Sequence, residues 1–184
     1  MSRFPYYARL GKKRQATYRR SDEIVEVPLD DPDAAAPTLE AIEAGLHGDD
    51  RRGVQTATAA LVRQLCDTLE VPRVTMRVLA RRPSDATAEL HGLYEREEGK
   101  TPIIRVWMRT AAHERPVAFR TFVRVVMHEL CHHLDYDKYA LGDSMHTQGF
   151  FRRESSLVRQ LLGTPEAVDD APSPQLDLFG SASD

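Results

Sequence analysis

The sequence predicts an α+β fold in which a small sheet of three strands, or slightly more, packs on one long helix and flanking helices. Three observations support this class. A segment with helical spacing of apolar residues comes first, three short segments typical of strands follow, and two further helical segments come last. No internal repeat interrupts this order.

The first half of the predicted domain contains one helix and three strands. Residues 53–69 carry apolar side chains at helical spacing, and Pro72 ends that segment. Residues 73–80 alternate between apolar and polar side chains, which indicates a half-buried strand. Two further strands, over 89–96 and 101–109, are joined through a turn-like Glu-Gly-Lys sequence.

The second half contains two helices. Pro116 suits a first helical turn and opens a long helix that runs to about residue 136. A loop over 137–147 then leads to a last helix over 149–162. The long helix has an apolar stripe that is expected to face the core, formed by Phe119, Val123, Val126, Leu130 and Leu134.

Charge is sorted along the 184 residues, although the net charge is only −3. Residues 1–20 carry seven Lys or Arg and no acid, residues 21–50 carry ten acids and no base, and residues 164–184 carry five acids and no base. Segments of one charge sign repel themselves and tend to stay solvated. We therefore expect a flexible leader over 1–50, basic and then acidic, a folded domain over 51–163 and a disordered acidic tail over 164–184.

Composition excludes several classes of protein. No run of 18 apolar residues occurs, so nothing in the sequence predicts a membrane span. The first 20 residues lack the apolar core of a secretory signal. Cys66 and Cys131 are too few for a disulfide framework and form no Cys-x-x-Cys pair. A cytoplasmic protein with free thiols and no membrane partner is expected.

The long helix contains the sequence His-Glu-Leu-Cys-His at 128–132. Residues four apart lie only about 40° from each other around a helix, so His128 and His132 can reach one metal ion. Imidazole is a good ligand for zinc, and a catalytic zinc keeps three protein ligands and one open position. Glu129 can serve as the base that takes a proton from water and later delivers it to a leaving amine. The sequence therefore predicts a catalytic Zn²⁺ site on this helix.

A third zinc ligand must come from further along the chain. The extended pattern with Gly and His three and six residues after the motif is excluded, because Asp135 and Lys138 stand there. The downstream candidates are Asp143, His146 and Glu154. His146, just before the last helix, is favoured because neutral imidazole is the commonest metal ligand. Glu154, within the last helix, is the alternative.

Side chains near the motif have predicted supporting roles. Asp135 is expected either to hydrogen-bond the free ring nitrogen of a ligand histidine or to be a solvated carboxylate near the helix end. If Glu154 is not a ligand, it is expected to support the site or to pair with Arg152 or Arg153. His133 points about 100° away from its neighbour and is expected to be structural. Candidates for stabilising an oxyanion are Tyr94, Tyr136 and Tyr139.

Beyond the motif, the sequence resembles the SprT-like group of minimal zinc metallopeptidases. The resemblance lies in HELCHHLDY, in the later HTxGFF, and in the strand segments around HGLY and TPIIRVWM, and it covers residues 53–162. It implies a minimal zincin-like domain with the two motif histidines and His146 as zinc ligands and Glu129 as the base. It also implies that the strand near 103–107 lines the substrate cleft. Residues 92–94 are expected at the cleft edge, where an extended substrate can add as a strand.

The acidic tail contains a short apolar sequence. Residues Gln175, Leu176, Asp177, Leu178 and Phe179 resemble the pentapeptide by which bacterial replication and repair proteins bind the sliding clamp. Disordered segments are normally poor in large apolar residues, so these side chains predict a docking peptide on a solvated tether. The alternative is that they fold back on the domain as a C-terminal anchor.

The two resemblances together imply a peptidase for protein substrates that is tethered to the sliding clamp and acts in DNA–protein crosslink repair at the nucleoid. Basic side chains of the leader and of one sheet face can contact phosphates, or the face is simply solvated. The sheet residues concerned are Arg73, Arg77, Arg105 and Arg109. Two other functions stay open: a clamp- and DNA-binding adaptor with a structural zinc site, and a zincin peptidase unrelated to DNA.

Overall fold

The computed structural model describes residues 4–81, 91–110 and 115–164, so the pentapeptide at 175–179 lies outside the described residues. Within these ranges the α+β class is confirmed. The helices are α1 (Lys12–Glu23), α2 (Ala36–His47), α3 (Arg51–Thr68), α4 (Phe119–Asp137) and α5 (Gln148–Leu162), with short 3-10 turns at Pro5–Arg9 and Pro32–Ala35. The strands are β1 (Thr75–Arg81), β2 (Gly92–Glu95) and β3 (Ile103–Arg109). None of the described helices is long and apolar enough to cross a membrane.

The three strands form one mixed sheet in the order β1-β3-β2. β1 runs parallel to β3, with Val78 opposite Val106, whereas β2 runs antiparallel to β3, with Tyr94 opposite Ile104. β3 is therefore the central strand, and β2 is an edge strand that is half-buried along its whole length.

The two edges of the sheet differ in whether a helix covers their backbone hydrogen-bonding groups. Helix α3 covers the outer edge of β1, because the Gln55 amide donates to Met76 O at 3.0 Å and accepts from Val78 N at 2.7 Å. Arg51 Nη1 adds a hydrogen bond to Val78 O at 3.2 Å. Such cover prevents another strand from pairing there. At the opposite edge, β2 has no second partner strand among the described residues.

Helix α4 is anchored between the sheet and α5. It contacts β2, β3 and α5, and four residues of its predicted stripe, Val123, Val126, Leu130 and Leu134, are at most 1% exposed. Phe119, at the start of the stripe, is half-buried against the same core. This packing sets the rotation of α4 and so determines where its polar side chains point.

Residues 4–50 are part of the fold, which corrects the expectation of a flexible leader over 1–50. Helix α2 buries Leu39, Ile42 and Leu46 in the main core, all at most 6% exposed. A helix can keep acidic side chains in water on one face while apolar residues at positions i, i+3 and i+7 are buried on the other. The charge of a segment therefore did not decide whether it folds.

Three of the four arginines expected on a basic sheet face form ion pairs. The pairs are Arg73–Asp67, Arg105–Glu95 and Arg109–Asp49. The charge that this face offers to a polyanion is therefore smaller than the count of arginines predicts.

Candidate metal centre

Helix α4 carries His128 and His132 one turn apart, as the four-residue spacing predicts. Their ring centroids are 5.1 Å apart, and the rings are nearly perpendicular. Leu130 and Cys131, between them in sequence, are fully buried and hold this part of α4 against the core. The positions of the two imidazoles therefore follow from the packing of the helix.

His146 completes a cluster of three histidines. It lies between α4 and α5, and its Nε2 is 3.0 Å from His128 Nε2 and 3.2 Å from His132 Nε2. One ligand atom from each residue lies within 4.8 Å of the other two. With Zn–N distances of about 2.0–2.1 Å, two nitrogens of a tetrahedral zinc site stand about 3.3 Å apart. The three histidines therefore have the spacing to hold a metal ion such as zinc.

Burial favours the neutral form of two of these histidines. It lowers the pKa of His132 to about 2, with the nearby His128 and His146 adding to the effect, and it lowers the pKa of His146 to about 4. Neutral imidazole is the form that binds a metal, because one ring nitrogen then carries an available lone pair. Both residues are therefore in the protonation state that metal binding requires.

The outer ring nitrogens of His128 and His132 also have partners. His128 Nδ1 is 3.0 Å from Glu154 Oε2, and His132 Nδ1 is 2.7 Å from Ser144 Oγ. An acceptor at Nδ1 places the imidazole proton there and leaves the Nε2 lone pair directed at the cluster. These contacts therefore select the tautomer that a metal site needs.

Asp135 acts on His132 through Ser144, which differs from both expectations for this carboxylate: the contact with the ring nitrogen is indirect, and the side chain is buried. Ser144 Oγ donates to Asp135 Oδ2 at 2.7 Å, and the other carboxylate oxygen accepts from Arg153 Nη2 at 2.7 Å. Asp135 and Arg153 are both completely buried. Burial raises the pKa of Asp135 above its usual value, although Arg153 and Ser144 oppose this effect. The carboxylate is therefore a buried anchor and not a solvated helix end.

Glu154 contacts the outer nitrogen of His128 and not the three Nε2 atoms. Its Oε1 accepts from Arg124 Nη1 at 2.8 Å. The expected pairing with Arg152 or Arg153 is therefore wrong, since Arg152 is exposed and Arg153 is buried against another carboxylate.

Glu129 is buried beside β2 and lines the same cavity as the three histidines. A Cβ atom on Gly92 would lie 2.3 Å from Glu129 Oε1, so glycine at this position leaves room for the carboxyl group. Burial raises the pKa of Glu129 to about 7; Glu154 adds to the increase, whereas His128 and the backbone of Tyr94 oppose it. A carboxyl group with this pKa can both accept and donate a proton near neutral pH.

A cavity of about 330 Å³ lies over the histidine cluster. Residues 91–94 form one wall, and α4 forms another through Thr121, Arg124 and Val125. The expected position of 92–94 at the cleft edge agrees with this wall. The expectation that 103–107 lines the cleft is wrong, because β3 is the central strand and β2 separates it from the cavity.

His133 lies outside the cluster, as its position on the helix predicts. It is completely buried, its Nε2 is 2.7 Å from a backbone carbonyl oxygen, and its Nδ1 is 3.1 Å from the hydroxyl oxygen of Tyr94. The ring of Tyr94 stacks on His132 with centroids 6.3 Å apart. Tyr136 lines the cavity, whereas Tyr139 packs against the core.

Three residues support the site in ways that the sequence motifs do not predict. The ring of Phe150 contacts all three histidine rings, with centroids 4.8 to 5.0 Å away. Phe150 lies within the HTxGFF segment, whereas Ser144 has no signal beyond its closeness to His146 in sequence. Arg153 has a clearer one, because it stands on the stripe of α5 that also contains the buried Leu157.

Comparison of the chain with protein-family models, with curated proteins and with solved structures gives no match. The geometry of the histidine cluster, together with the resemblance of short sequence segments, is therefore the basis on which a function is proposed.

Proposed function

We propose that the chain is a zinc-dependent metallopeptidase that hydrolyses peptide bonds in protein substrates. One observation carries this proposal: three histidine Nε2 atoms converge beside the buried carboxyl group of Glu129 at a single cavity. The resemblance of HELCHHLDY to SprT-like peptidases supports the same assignment. A zinc site that only stabilises a fold normally has four protein ligands and no open position.

In this proposal His128, His132 and His146 would hold zinc through Nε2 at the wall of the cavity. Bound zinc supplies Lewis-acid chemistry, since it lowers the pKa of water and polarises a carbonyl group. Glu154 and Ser144 orient two of the imidazoles from outside and increase their basicity. The proposal thus assigns Glu154 a supporting role and makes His146 the third ligand.

Glu129 is proposed as the general base and acid. A deprotonated side-chain oxygen accepts the proton of the attacking water, and the protonated group later donates it to the nitrogen of the leaving amine. Close contact with Gly92 limits the movement of the carboxyl group.

An extended polypeptide segment is the proposed form of the substrate. The edge of β2 that faces away from β3 pairs with no strand among the described residues, and β2 lies beside the cavity. A peptide that adds to this edge as a strand would pass over the histidine cluster. Leu93 and Val125 supply apolar surface for a neighbouring substrate side chain.

The proposal is tested with Glu129→Gln, by measuring zinc content and the cleavage of casein. We expect the variant to keep one zinc ion per chain and to lose activity by about 10²- to 10⁴-fold. Glu97→Gln is the matched control, because Glu97 is exposed and pairs only with Lys100 among the described residues. Full activity of Glu129→Gln would refute the assignment of the base, and a wild-type protein that binds no zinc would refute the metal site.

We also propose that residues 175–179 tether the peptidase to the bacterial sliding clamp and thereby bring it to proteins crosslinked to DNA. The support is the resemblance of the pentapeptide, together with its large apolar side chains, in which solvated acidic segments are normally poor. Full-length protein should bind purified clamp, and Phe179→Ala should abolish binding. A protein that binds zinc and the clamp but cleaves no substrate, with or without single-stranded DNA, would be an adaptor instead.

A further inference from the structure

Residues 4–24 contact the loop that carries His146, here called the His146 loop (residues 138–147). Tyr6, in the turn before α1, donates its hydroxyl proton to the backbone carbonyl of His146 at 2.9 Å. Arg14 forms an ion pair with Asp143 at 2.6 Å. Arg20 Nη2 donates to the carbonyl of Tyr139 at the beginning of the loop, at 2.6 Å. Side chains of α1 and of the turn before it therefore hold the His146 loop at the beginning, the middle and the end of the loop.

Ser21 connects α1 to both sides of the histidine cluster. Its Oγ is 2.9 Å from Thr147 Oγ1, next to His146, and both residues are completely buried. Arg153 Nη2 donates to the same Ser21 Oγ at 3.1 Å, and Arg153 Nη1 donates to Ser21 O at 2.7 Å. Arg153 also holds Asp135, which reaches His132 through a serine hydroxyl.

The contact between α1 and the start of α5 is too close for a larger residue. A Cβ atom on Gly149 would lie 2.0 Å from Ser21 O, and Gly149 N donates to Asp22 Oδ1 at 3.0 Å. Only a glycine at position 149, the second residue of α5, lets the start of this helix lie directly against α1. This explains why the sequence has glycine here although the residue lies in a helix, where it is normally unfavourable.

We propose that residues 4–24 are a positioning element of the metal centre: they hold His146 and, through Ser21 and Arg153, the hydrogen-bonded support of His132. The inference rests on the proposed zinc site and assigns to this segment a role in metal affinity. A loop that must be ordered when the metal binds costs conformational entropy, and contacts that order it beforehand remove that cost from binding. Tyr6 and Ser21 are thus positioning residues and not ligands.

The test compares the zinc dissociation constant of wild-type, Tyr6→Phe and Ser21→Ala full-length proteins, measured by competition with a chromophoric chelator. Tyr6→Phe removes one hydrogen bond to the ligand backbone, so we expect Kd to rise about two- to tenfold. Ser21→Ala removes the partner of Thr147 and one partner of Arg153, and we expect a rise of about 10- to 100-fold. Arg63→Gln is the control, because Arg63 is an exposed residue of α3 outside residues 4–24, and the Kd of this variant should be unchanged.

Unfolding of the metal-free proteins in urea separates positioning from a general loss of stability. Zinc dissociation constants are compared at a temperature at which every variant is folded. In addition, Co²⁺-substituted Ser21→Ala should absorb visible light more weakly than the Co²⁺-substituted wild-type protein, because water replaces a poorly held histidine. If both variants bind zinc with the wild-type Kd, the positioning role is wrong while the proposed function stands. If the wild-type protein binds no zinc, the proposed function itself fails.

Discussion

Replacing Gly92 with alanine should displace the carboxyl group of Glu129 and leave the histidine cluster in place. The added Cβ would lie 2.3 Å from Glu129 Oε1, 2.7 Å from its Cγ and 2.8 Å from its Cδ. Non-bonded carbon atoms are normally separated by about 3.5 Å or more. Because Glu129 is only 5% exposed, it has little space into which to rotate, and either its side chain or β2 must move by about 1 Å.

A displacement of this size has different consequences for activity and for folding. Misplacing a catalytic group by about 1 Å can lower the rate about 100-fold. Overpacking a buried site costs about 1–3 kcal/mol of unfolding free energy, which is less than the 5–15 kcal/mol of a typical domain. The Gly92→Ala variant should therefore fold and bind zinc, but cleave peptides about 100-fold more slowly.

The assay measures kcat/KM on a casein-derived peptide, zinc content and urea unfolding for Gly92→Ala and for Gly142→Ala. An added Cβ at Gly142 meets no atom within 4 Å, so this control should behave as the wild type in all three measurements. The reasoning is refuted if Gly92→Ala, with zinc bound, cleaves the peptide at the wild-type rate. Loss of zinc from Gly92→Ala would show that β2 supports the ligands and not only the carboxyl group.

Three further outcomes are expected. Arg153→Met should lower the free energy of unfolding by about 3–5 kcal/mol, because it leaves a buried carboxylate without its partner, whereas exposed Arg152→Met should change it by at most about 0.5 kcal/mol in urea unfolding. Glu154→Ala should raise the zinc Kd about 10- to 100-fold and still bind one ion per chain; complete loss of zinc would instead make this carboxylate a ligand. Cys66 and Cys131 are buried, and burial raises the pKa of Cys66 to about 11, so neither thiol should react with Ellman's reagent at pH 8 until the protein unfolds.

Most of the secondary structure could be predicted because it depends on local spacing. The alternation over 73–80 and the stripe of the long helix correspond to β1 and α4, with boundaries shifted by a few residues. The parallel pairing of β1 with β3 could not be predicted in the same way, since it joins residues far apart in the chain. The charge of residues 1–50 predicts a flexible segment, whereas the apolar spacing of Leu39 and Ile42, which are buried in the core, is what determines that residues 4–50 fold.

Site residues that are close together in the sequence could be predicted, whereas those that are far apart in the sequence could not. His128 and His132 come together through one helical turn, so their spacing alone predicts the pair. The third ligand required a choice among Asp143, His146 and Glu154, and the observed N–N distances favour His146. Phe150 supports all three rings through a tertiary contact, for which spacing contains no information.

Local spacing is enough to predict the α+β class, the helix that carries the paired histidines and the glutamate between them, because all three depend on interactions within a few residues. Packing between distant elements places β2 and not β3 at the cavity, Glu154 on the outer nitrogen of His128, and α1 with its preceding turn against the His146 loop. These outcomes depend on contacts between residues up to 140 positions apart. Such contacts arise when all the elements bury their apolar faces together, and no single segment specifies that arrangement.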